Sequence, residues 1–358
     1  MINYIIKKMF YGSLVLWGVI SLVFFLFQVM PGDPARMMLS QREDSKQLEI
    51  IKNQYGFDKP IFQQYFLYLN DISPISIHDI SDEKSYTYLT KTKYNFISIL
   101  SFNNRSLVVK FPYLRESFVK RGKTVNSVIS ETFPLTIVLA LSSIIFAIII
   151  GLILGIVTAL HKDTFIDRFI LFFSVFGMSL PSFFTSIIIA WFFAFILHDI
   201  TGLNMTGSLF EVDDYGRGEY IVWKNLILPA ITLGIRPLAV VIQLTRNSIL
   251  DTLNEDFIRT AKAKGLSSFR ILFIHALPNA FNPVVTSASG WLASMLAGAV
   301  FIEFIFGWNG LGKEIVYALN YMDLPVVMGA VLTLSICFVA ITILTDLIYY
   351  LLDPKLRV

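Results

Sequence analysis

Few residues of this chain carry the chemistry of an enzyme active site. Of its 358 residues, one is cysteine, four are histidine and 15% are charged. With Cys337 alone, no disulfide can form within the chain. Without an HExxH motif or a cysteine cluster, the sequence also offers no spacing suited to metal ligands. The net charge is only +3, and no basic cluster is interleaved with aromatic residues. These absences argue against a metalloenzyme and against a nucleic-acid-binding protein.

Apolar residues, by contrast, are abundant. They make up 55% of the chain, which includes 32 phenylalanines and has a mean hydropathy of +0.65. A helix needs about 20 apolar residues to cross the ~30 Å hydrocarbon core of a bilayer. Five runs without Asp, Glu, Lys or Arg reach that length: 9–30, 134–160, 169–197, 283–302 and 324–345. A sixth, 226–245, contains Arg236 and two prolines, Pro229 and Pro237, which we expect to bend or break its helix. The sequence therefore predicts an all-α, polytopic membrane protein with six transmembrane helices.

Lysine and arginine are distributed unevenly between these runs. If the N-terminus lies in the cytoplasm, the inner segments carry eleven of these residues and the short outer loops carry three. Cytoplasmic loops retain an excess of Lys and Arg, whereas long loops are translocated largely regardless of charge. We therefore predict that both termini are cytoplasmic. The N-terminus and first transmembrane helix would occupy 1–30, a large extracytoplasmic loop 31–133, and the membrane core 134–358.

The long outer segment has its own local patterns. Apolar residues between Leu48 and Leu69 recur at roughly helical spacing with an interruption at 56–60, which predicts two short amphipathic helices on the outer surface. The stretch 85–111 is richer in Tyr, Thr, Ile and Val and predicts a small hairpin. The role of the whole outer loop, 31–133, is open between covering the membrane core and docking a partner.

A charged segment at 255–278 lies between two predicted spans. Four apolar residues at every fourth position predict one stripe of an amphipathic helix: Ile249, Leu253, Phe257 and Ala261. Gly265 permits the left-handed backbone that ends a helix, and a second short helix is expected to close at Leu277-Pro278. Such a hairpin suits a groove on another protein, but its apolar stripe could equally rest on the chain's own membrane core.

This segment resembles the EAA loop of ABC transporter permeases. The resemblance is carried by the run from Arg259 to Gly265 and by the ending His275-Ala-Leu-Pro278. Arg259 stands where the consensus has Glu, Thr260 where it has the first Ala, and His275 where it has Ile. These departures are similar to the variant in the dipeptide and oligopeptide branch of importers.

Other stretches resemble the same branch and follow in the same order: 31–34, 177–183, 228–230, 307–312 and 352–355. The resemblance covers nearly the whole chain and is closest to the first permease subunit of a peptide importer. The departure is at 71–125, which is longer than the outer loop of the family and leaves docking geometry and substrate open.

The resemblance implies a bacterial inner-membrane transport subunit and not an enzyme. The implied partners are a second permease subunit, two cytoplasmic ATPase subunits that hold ATP and magnesium, an extracytoplasmic substrate-binding protein and membrane lipid. No cofactor is expected on this chain. Peptides are the implied cargo, with nickel or another small solute as the alternative. An intramembrane enzyme or a channel acting alone is the alternative from another class.

In such importers the EAA loop couples the permease to the ATPase. Carried over to this chain, that role falls within about 246–282, on Glu255, Phe257, Arg259, Ala261, Lys262, Lys264, Gly265, Leu277 and Pro278. Phe257 and Ala261 would be the contacts buried in the ATPase, Gly265 the bend, and the basic residues the rim.

A glycine-rich motif follows the fifth predicted span. The stretch 307–313 has the spacing of a phosphate-binding P-loop, but Glu314 occupies the place of the Ser or Thr that holds magnesium, and no buried strand precedes it. We predict instead an outer gate or turn made by Gly307, Trp308, Gly310 and Gly312.

Charged residues inside a membrane are costly and usually functional. Two roles are open for Arg236: it faces a translocation cavity and attracts the carboxylate of a peptide, or it pairs with Glu303, Asp346 or a residue of the partner permease. The sequence favours pairing. Glu303 and Asp323 are expected to be solvated residues at the ends of spans.

Overall fold

The computed structural model describes residues 2–29, 49, 52, 56–82, 85–91, 93–213, 215–216 and 218–352. The chain is mostly helical and divides into two compact units. One unit comprises Met1–Lys8, Thr132–Val316 and Ile336–Val358, and the other comprises Met9–Glu131 and Tyr317–Ser335. The predicted turn at 31–34, the first of the two predicted amphipathic helices and the motif end at 353–355 lie outside the described residues.

The elements in chain order begin with α1 (Ile2–Val29), α2 (Ile61–Ile72), β1 (Ile75–Asp79), β2 (Phe96–Phe102), β3 (Arg105–Lys110) and α3 (Val125–Leu160). They continue with α4 (Phe165–Ser179), α5 (Ser182–Ile189), the π-helix Ala190–Ile196, α6 (His198–Thr201), β4 (Phe210–Val212), β5 (Glu219–Ile221) and α7 (Lys224–Leu253). The last are α8 (Asp256–Ala263), α9 (Ser268–Arg270), the π-helix Ile271–Ala276, α10 (Leu277–Gly298), α11 (Val300–Phe306), α12 (Leu311–Asn320) and α13 (Leu324–Leu352).

Four helices are long and apolar enough to cross a membrane: Ile6–Phe27, Val125–Leu160, Lys224–Leu253 and Leu324–Leu347. Two bent pairs also qualify, which gives up to six spans by length and composition among the described residues. The first pair, Phe165–Ser179 with Ser182–Ile196, bends by 113° at Leu180. Leu180 is extended (φ −77°, ψ 141°) because it precedes Pro181. The second pair, Pro283–Gly298 with Val300–Phe306, bends by 55°.

The expected interruption at 226–245 is wrong, since α7 continues through Pro229 and Pro237. Close packing against α3 accompanies this continuity. A Cβ atom added to Gly151 would lie 2.6 Å from Cγ1 of Val241, and one added to Gly155 would lie 2.6 Å from Cβ of Thr245. Helices approach this closely only where one side chain is missing. A proline in a membrane helix is tolerated when its neighbours hold the surrounding turns in place.

The second unit contains a sheet, which corrects the all-α prediction. Its three antiparallel strands have the order β1-β3-β2. The predicted hairpin within 85–111 is confirmed as β2–β3, which turns at Asn103 with φ 47°. Strand β1 was not predicted, because its five residues give too short an alternation. The second predicted amphipathic helix corresponds to α2.

A polar cluster surrounds the buried Asp71 in this unit. Its carboxylate accepts hydrogen bonds from the hydroxyls of Tyr86 (2.6 Å) and Tyr94 (3.1 Å) and from Nε of Arg115 (3.1 Å), while its carbonyl oxygen accepts one from Nζ of Lys110. Burial lowers the pKa of Lys110 to about 8. The inner side of the sheet therefore packs on a hydrogen-bonded polar core.

Candidate functional site

The charged segment predicted from the sequence begins where α7 ends. Glu255 is extended (φ −70°, ψ 151°) and separates α7 from α8. The predicted stripe on a single helix is therefore wrong, because this break rotates α8 relative to α7. Phe257 is 44% exposed, and the next residue, Ile258, is fully buried instead.

Beneath α8 lies an apolar cluster of the same unit. Its buried members are Ala159, Ile249, Ile258, Ala261, Ile271, Leu272, Ala276 and Ala280. Ala261 was predicted as a contact with the ATPase. It is instead buried against this cluster, because it lies three residues after Ile258 on the same face of α8. Through this cluster, α8 packs against the C-terminal part of α7 and against the π-helix before α10.

The opposite face of α8 and the following turn are exposed. The exposed predicted residues are Glu255, Phe257, Arg259, Lys262, Lys264 and Gly265. Phe269 was not predicted as a site residue, although it is 72% exposed and contacts Phe273, with 4.5 Å between ring centroids and 38° between ring planes. Its signal in the sequence was weak, because one phenylalanine among many in an apolar chain does not stand out. The segment thus presents aromatic side chains within a basic surface.

Gly265 forms the bend after α8. Its φ of +75° lies in the left-handed region, and its N–H donates to the carbonyl of Lys262 at 2.9 Å. A Cβ atom there would meet nothing within 4 Å, so backbone conformation and not space is what requires glycine.

Leu277 and Pro278 do not close the second helix as predicted. They lie in the first turn of α10. The preceding six residues form a π-helix, so the chain stays helical from Ser268 to Gly298. The half-buried Leu277 packs on the apolar cluster, and Pro278 is exposed.

An ion pair that the sequence did not indicate fastens the end of α7 to α4. Nε and Nη2 of Arg246 donate to the two carboxylate oxygens of Asp167 at 2.8 and 2.7 Å. The Asp167 side chain is 2% exposed and also accepts from the N–H of Asp163 at 2.9 Å. A bidentate, shielded pair of this kind fixes both distance and orientation between two helices.

Arg236 lines a cavity formed by α4, α5, α7, α10 and α11. The lining residues are Gly177, Leu180, Ser182, Thr185, Thr232, Leu233, Ile235, Arg236, Pro237, Trp291, Ser294, Met295, Gly298 and Ile302. Arg236 is exposed, and its Nη2 donates to the carbonyl of Leu180 at 3.3 Å, at the break between α4 and α5. The predicted pairing with Glu303 or Asp346 is wrong. Glu303 accepts from backbone N–H groups, and Asp346 lies 2.6 Å from Nζ of Lys8.

The glycine-rich motif forms a compact turn around Glu303. This carboxylate is fully buried and accepts from the N–H groups of Gly312 (2.7 Å) and Lys313 (3.2 Å), at the start of α12. Gly307 ends α11 with φ +69°, and the buried Trp308 donates from Nε1 to the carbonyl of Leu135 at 3.0 Å. The helix N-terminus that resembled a phosphate site therefore holds a carboxylate of its own chain.

The two carboxylates expected to be solvated are both buried. Glu303 is shielded by the turn described above. In the other unit, Asp323 is 3% exposed and accepts from the hydroxyl of Ser117 and from the N–H groups of Phe118 (3.0 Å) and Val119 (3.3 Å). Within the described part of the chain, no group of three or more His, Cys, Asp or Glu residues could hold a metal ion.

Comparison with known proteins identifies the family to which the chain is similar. Residues 147–358 match the family described as "Binding-protein-dependent transport system inner membrane component", and residues 1–83 match the N-terminal region of such membrane components. The chain is 30% identical to the Di/tripeptide transport system permease protein DppB of Pseudomonas aeruginosa, over all of this chain and 99% of that protein.

It is also 31% identical to the Dipeptide transport system permease protein DppB of Bacillus subtilis, over all of this chain and 98% of that protein. Among solved structures, one of the inward-facing MetNI methionine ABC transporter aligns with 63% of this chain and 97% of its own, at 19% identity and a TM-score of 0.49.

Proposed function

Because this chain belongs to the family of binding-protein-dependent transport system inner membrane components, it is a permease subunit of an ABC importer, and we propose that its helices form the path for di- or oligopeptides. The names of the two relatives support peptide cargo, since each matches the chain over its whole length. ATP hydrolysis belongs to a separate partner, and the permease itself is not an enzyme.

We propose the assembly and orientation from the family and the charge pattern. A second permease subunit, two cytoplasmic ATPase subunits with ATP and magnesium, and an extracytoplasmic binding protein complete the importer. Both termini lie in the cytoplasm, six spans cross the membrane, and the segment 31–133 lies outside. The uneven distribution of Lys and Arg supports this orientation.

The observation that supports this function most directly is that α8 has one face buried against its own chain and one face exposed. Its inner face, with Ile258 and Ala261, is fixed to α7 and α10 through the apolar cluster, while Phe257 and the basic residues project outward. A partner that seats Phe257 would therefore move a rigid element joined to two spans. Displacement of this kind can exchange two orientations of a cavity. Phe257 and Phe269 are the proposed anchors, Gly265 is the bend, and Arg259, Lys262 and Lys264 form the rim.

The cavity beside Arg236 is the proposed part of the translocation path. Arg236 adds a positive charge to a lining of apolar and small hydroxyl side chains. A guanidinium is always charged, and its planar set of N–H groups matches the two oxygens of a carboxylate. The cavity is therefore suited to a peptide with a free C-terminus. The buried turn at 307–312 lies at the other end of α11 and gives that helix a fixed anchor.

We expect Arg236→Ala to lower the ATP-dependent uptake of a dipeptide with a free carboxylate about tenfold or more, since a charge-assisted hydrogen bond is worth about 1.5–3 kcal/mol. The measurement is uptake of labelled dipeptide into proteoliposomes that contain the complete importer, with the binding protein saturated. Uptake of the same peptide with an amidated C-terminus should change little. Arg236→Lys, which keeps the charge, is the matched control and should retain most of the uptake.

The role of Arg236 and the peptide cargo can be rejected independently of each other. Equal losses for acid and amide, or no loss at all, would reject the role of Arg236 while leaving the permease assignment intact. Absence of ATP-dependent uptake of any peptide by the unmodified importer would reject peptide cargo.

A further inference from the structure

The sheet in the unit Met9–Glu131 and Tyr317–Ser335 turns its apolar side outward. Two cross-strand rows are entirely apolar: Ile75, Val109 and Ile97 form one, and Ile77, Leu107 and Leu100 form the next. A shift of register between Ser98 and Leu100 brings Ile97 and Leu100 to the same face of β2. The third row contains Asp79, Arg105 and Phe102. Ile97 is 74% exposed and Phe102 73%. A contiguous apolar face of this size on a folded unit marks a surface that another apolar phase covers.

The opposite side of the sheet explains this inversion. Its buried residues are mostly polar, with Val108 as an apolar member, and Lys110 belongs to the polar cluster around Asp71; the polar ones are Ser76, His78, Ser106 and Lys110. Side chains alternate between the two faces of a strand, so a polar interior sends the apolar set outward. A shift of one residue in register would bury the isoleucines and expose this polar set, yet the cross-strand pairing fixes the present register.

The apolar face is continuous with the first membrane-spanning helix through α2. The hydroxyl of Tyr65 lies 2.6 Å from that of Ser21, and the ring centroids of Phe25 and Phe62 lie 6.4 Å apart. Ser21 precedes Phe27, where this span ends, by six residues, or roughly 9 Å of helix. Amphipathic helices that lie in a membrane interface are buried to a similar depth of about 5–10 Å.

Along α2 the exposed side chains lead towards the sheet. Phe62 is 70% exposed and Phe66 is 65% exposed, and with Asn70 they follow each other at intervals of four residues. The Asn70 side chain forms two hydrogen bonds of 3.0 Å with the backbone of Ile77, which lies on the outward face of β1. One apolar surface therefore extends from α1 across α2 to the sheet.

We propose that this surface, formed by Phe62 and Phe66 of α2 and by the outward rows of the sheet, is inserted into the interfacial layer of the bilayer, with lipid acyl chains as its occupant. Its continuity with the span argues for lipid. The charges argue in the same direction, since Asp79 and Arg105 pair with each other in the third row, beside Phe102, and the first two rows carry no charge. The proposal is independent of the cargo of the importer.

A fluorescence experiment on the complete importer tests this proposal. The chain has only Cys337, so Cys337→Ser gives a cysteine-free background. In that background Phe66→Cys, Ile97→Cys and Arg105→Cys are each labelled with bimane, and the importer is reconstituted into nanodiscs with and without lipids that carry a nitroxide on the acyl chain. Arg105 is the matched control, because it lies on the same face but in the charged row.

The expected result is blue-shifted emission and strong quenching by nitroxide lipid at 66 and 97, with weak quenching at 105. If the labels at 66 and 97 are quenched by aqueous iodide and not by nitroxide lipid, the surface faces water and the proposal is wrong. If these labels are shielded from both quenchers, a protein covers the surface, and lipid is equally ruled out as its occupant.

Discussion

Substitution of Gly312 by alanine should destabilise the permease by about 1–3 kcal/mol. A Cβ atom at this position would lie 2.6 Å from the Cα atom of Val300 and 2.8 Å from Oε2 of Glu303. Backbone cannot rotate away as a side chain can, so either α12 moves or the hydrogen bond from the Gly312 N–H to Glu303 is lost. Alanine gains about 1 kcal/mol over glycine in a helix, but an overlap this deep outweighs that gain. The measurement is the thermal stability of the purified importer.

Gly18→Ala is the matched control for this prediction. Gly18 also lies in a helix, and an added Cβ would meet nothing within 4 Å. We expect no loss of stability there, since the helix-propensity gain then acts alone. Equal stability of the Gly312→Ala protein and the unmodified protein would show that the turn around Glu303 is looser than described.

Removal of the Asp167 carboxylate should destabilise the protein by about 3–5 kcal/mol, the usual cost of breaking a buried ion pair by deleting one partner. In Asp167→Ala, the largely buried Arg246 guanidinium keeps its charge, with Oδ1 of Asn247, 3.4 Å from Nη1, as its remaining acceptor, and the Asp163 N–H loses its acceptor. The double variant Asp167→Leu with Arg246→Met should recover much of this loss, because it leaves no unpaired charge. Thermal unfolding of the three proteins gives the comparison.

The exposed pair between Asp256 and Arg259 provides the contrast. Its atoms are 3.1 Å apart, yet its side chains are 93% and 75% exposed. Asp256→Ala should leave stability nearly unchanged, because water already screens such pairs. A loss as large as that in Asp167→Ala would mean that burial does not set the strength of these pairs.

The membrane helices were accessible from the sequence because an uninterrupted apolar run is a strong local signal. All six predicted runs fall on helices or bent helix pairs. The break at Leu180-Pro181 was not predicted, because the uninterrupted apolar run 169–197 indicates a single span, although the residue before a proline disfavours helix. At Pro237 the same local rule failed, because α7 packs closely against α3 and continues as one helix.

The missed features depend on residues far apart in sequence. Asp167 and Arg246 are 79 positions apart, and no local sequence pattern near either residue indicates that the two form a pair. Likewise, Glu303 resembles a solvated end residue until the turn at Gly310 and Gly312 folds over it. The inverted sheet was hidden for another reason, since alternation alone does not say which face is buried.

A cross-link from α8 to the ATPase tests the coupling role of α8 most directly. In the Cys337→Ser background, Phe257→Cys carries a short photoactivated cross-linker in the assembled importer, and Ile258→Cys, fully buried one position away, is the control. We expect position 257 to cross-link to an ATPase subunit and position 258 to give no such adduct. The coupling role of α8 is contradicted if position 257 gives no adduct with the ATPase, or if Phe257→Cys reacts with an impermeant thiol reagent added outside intact cells.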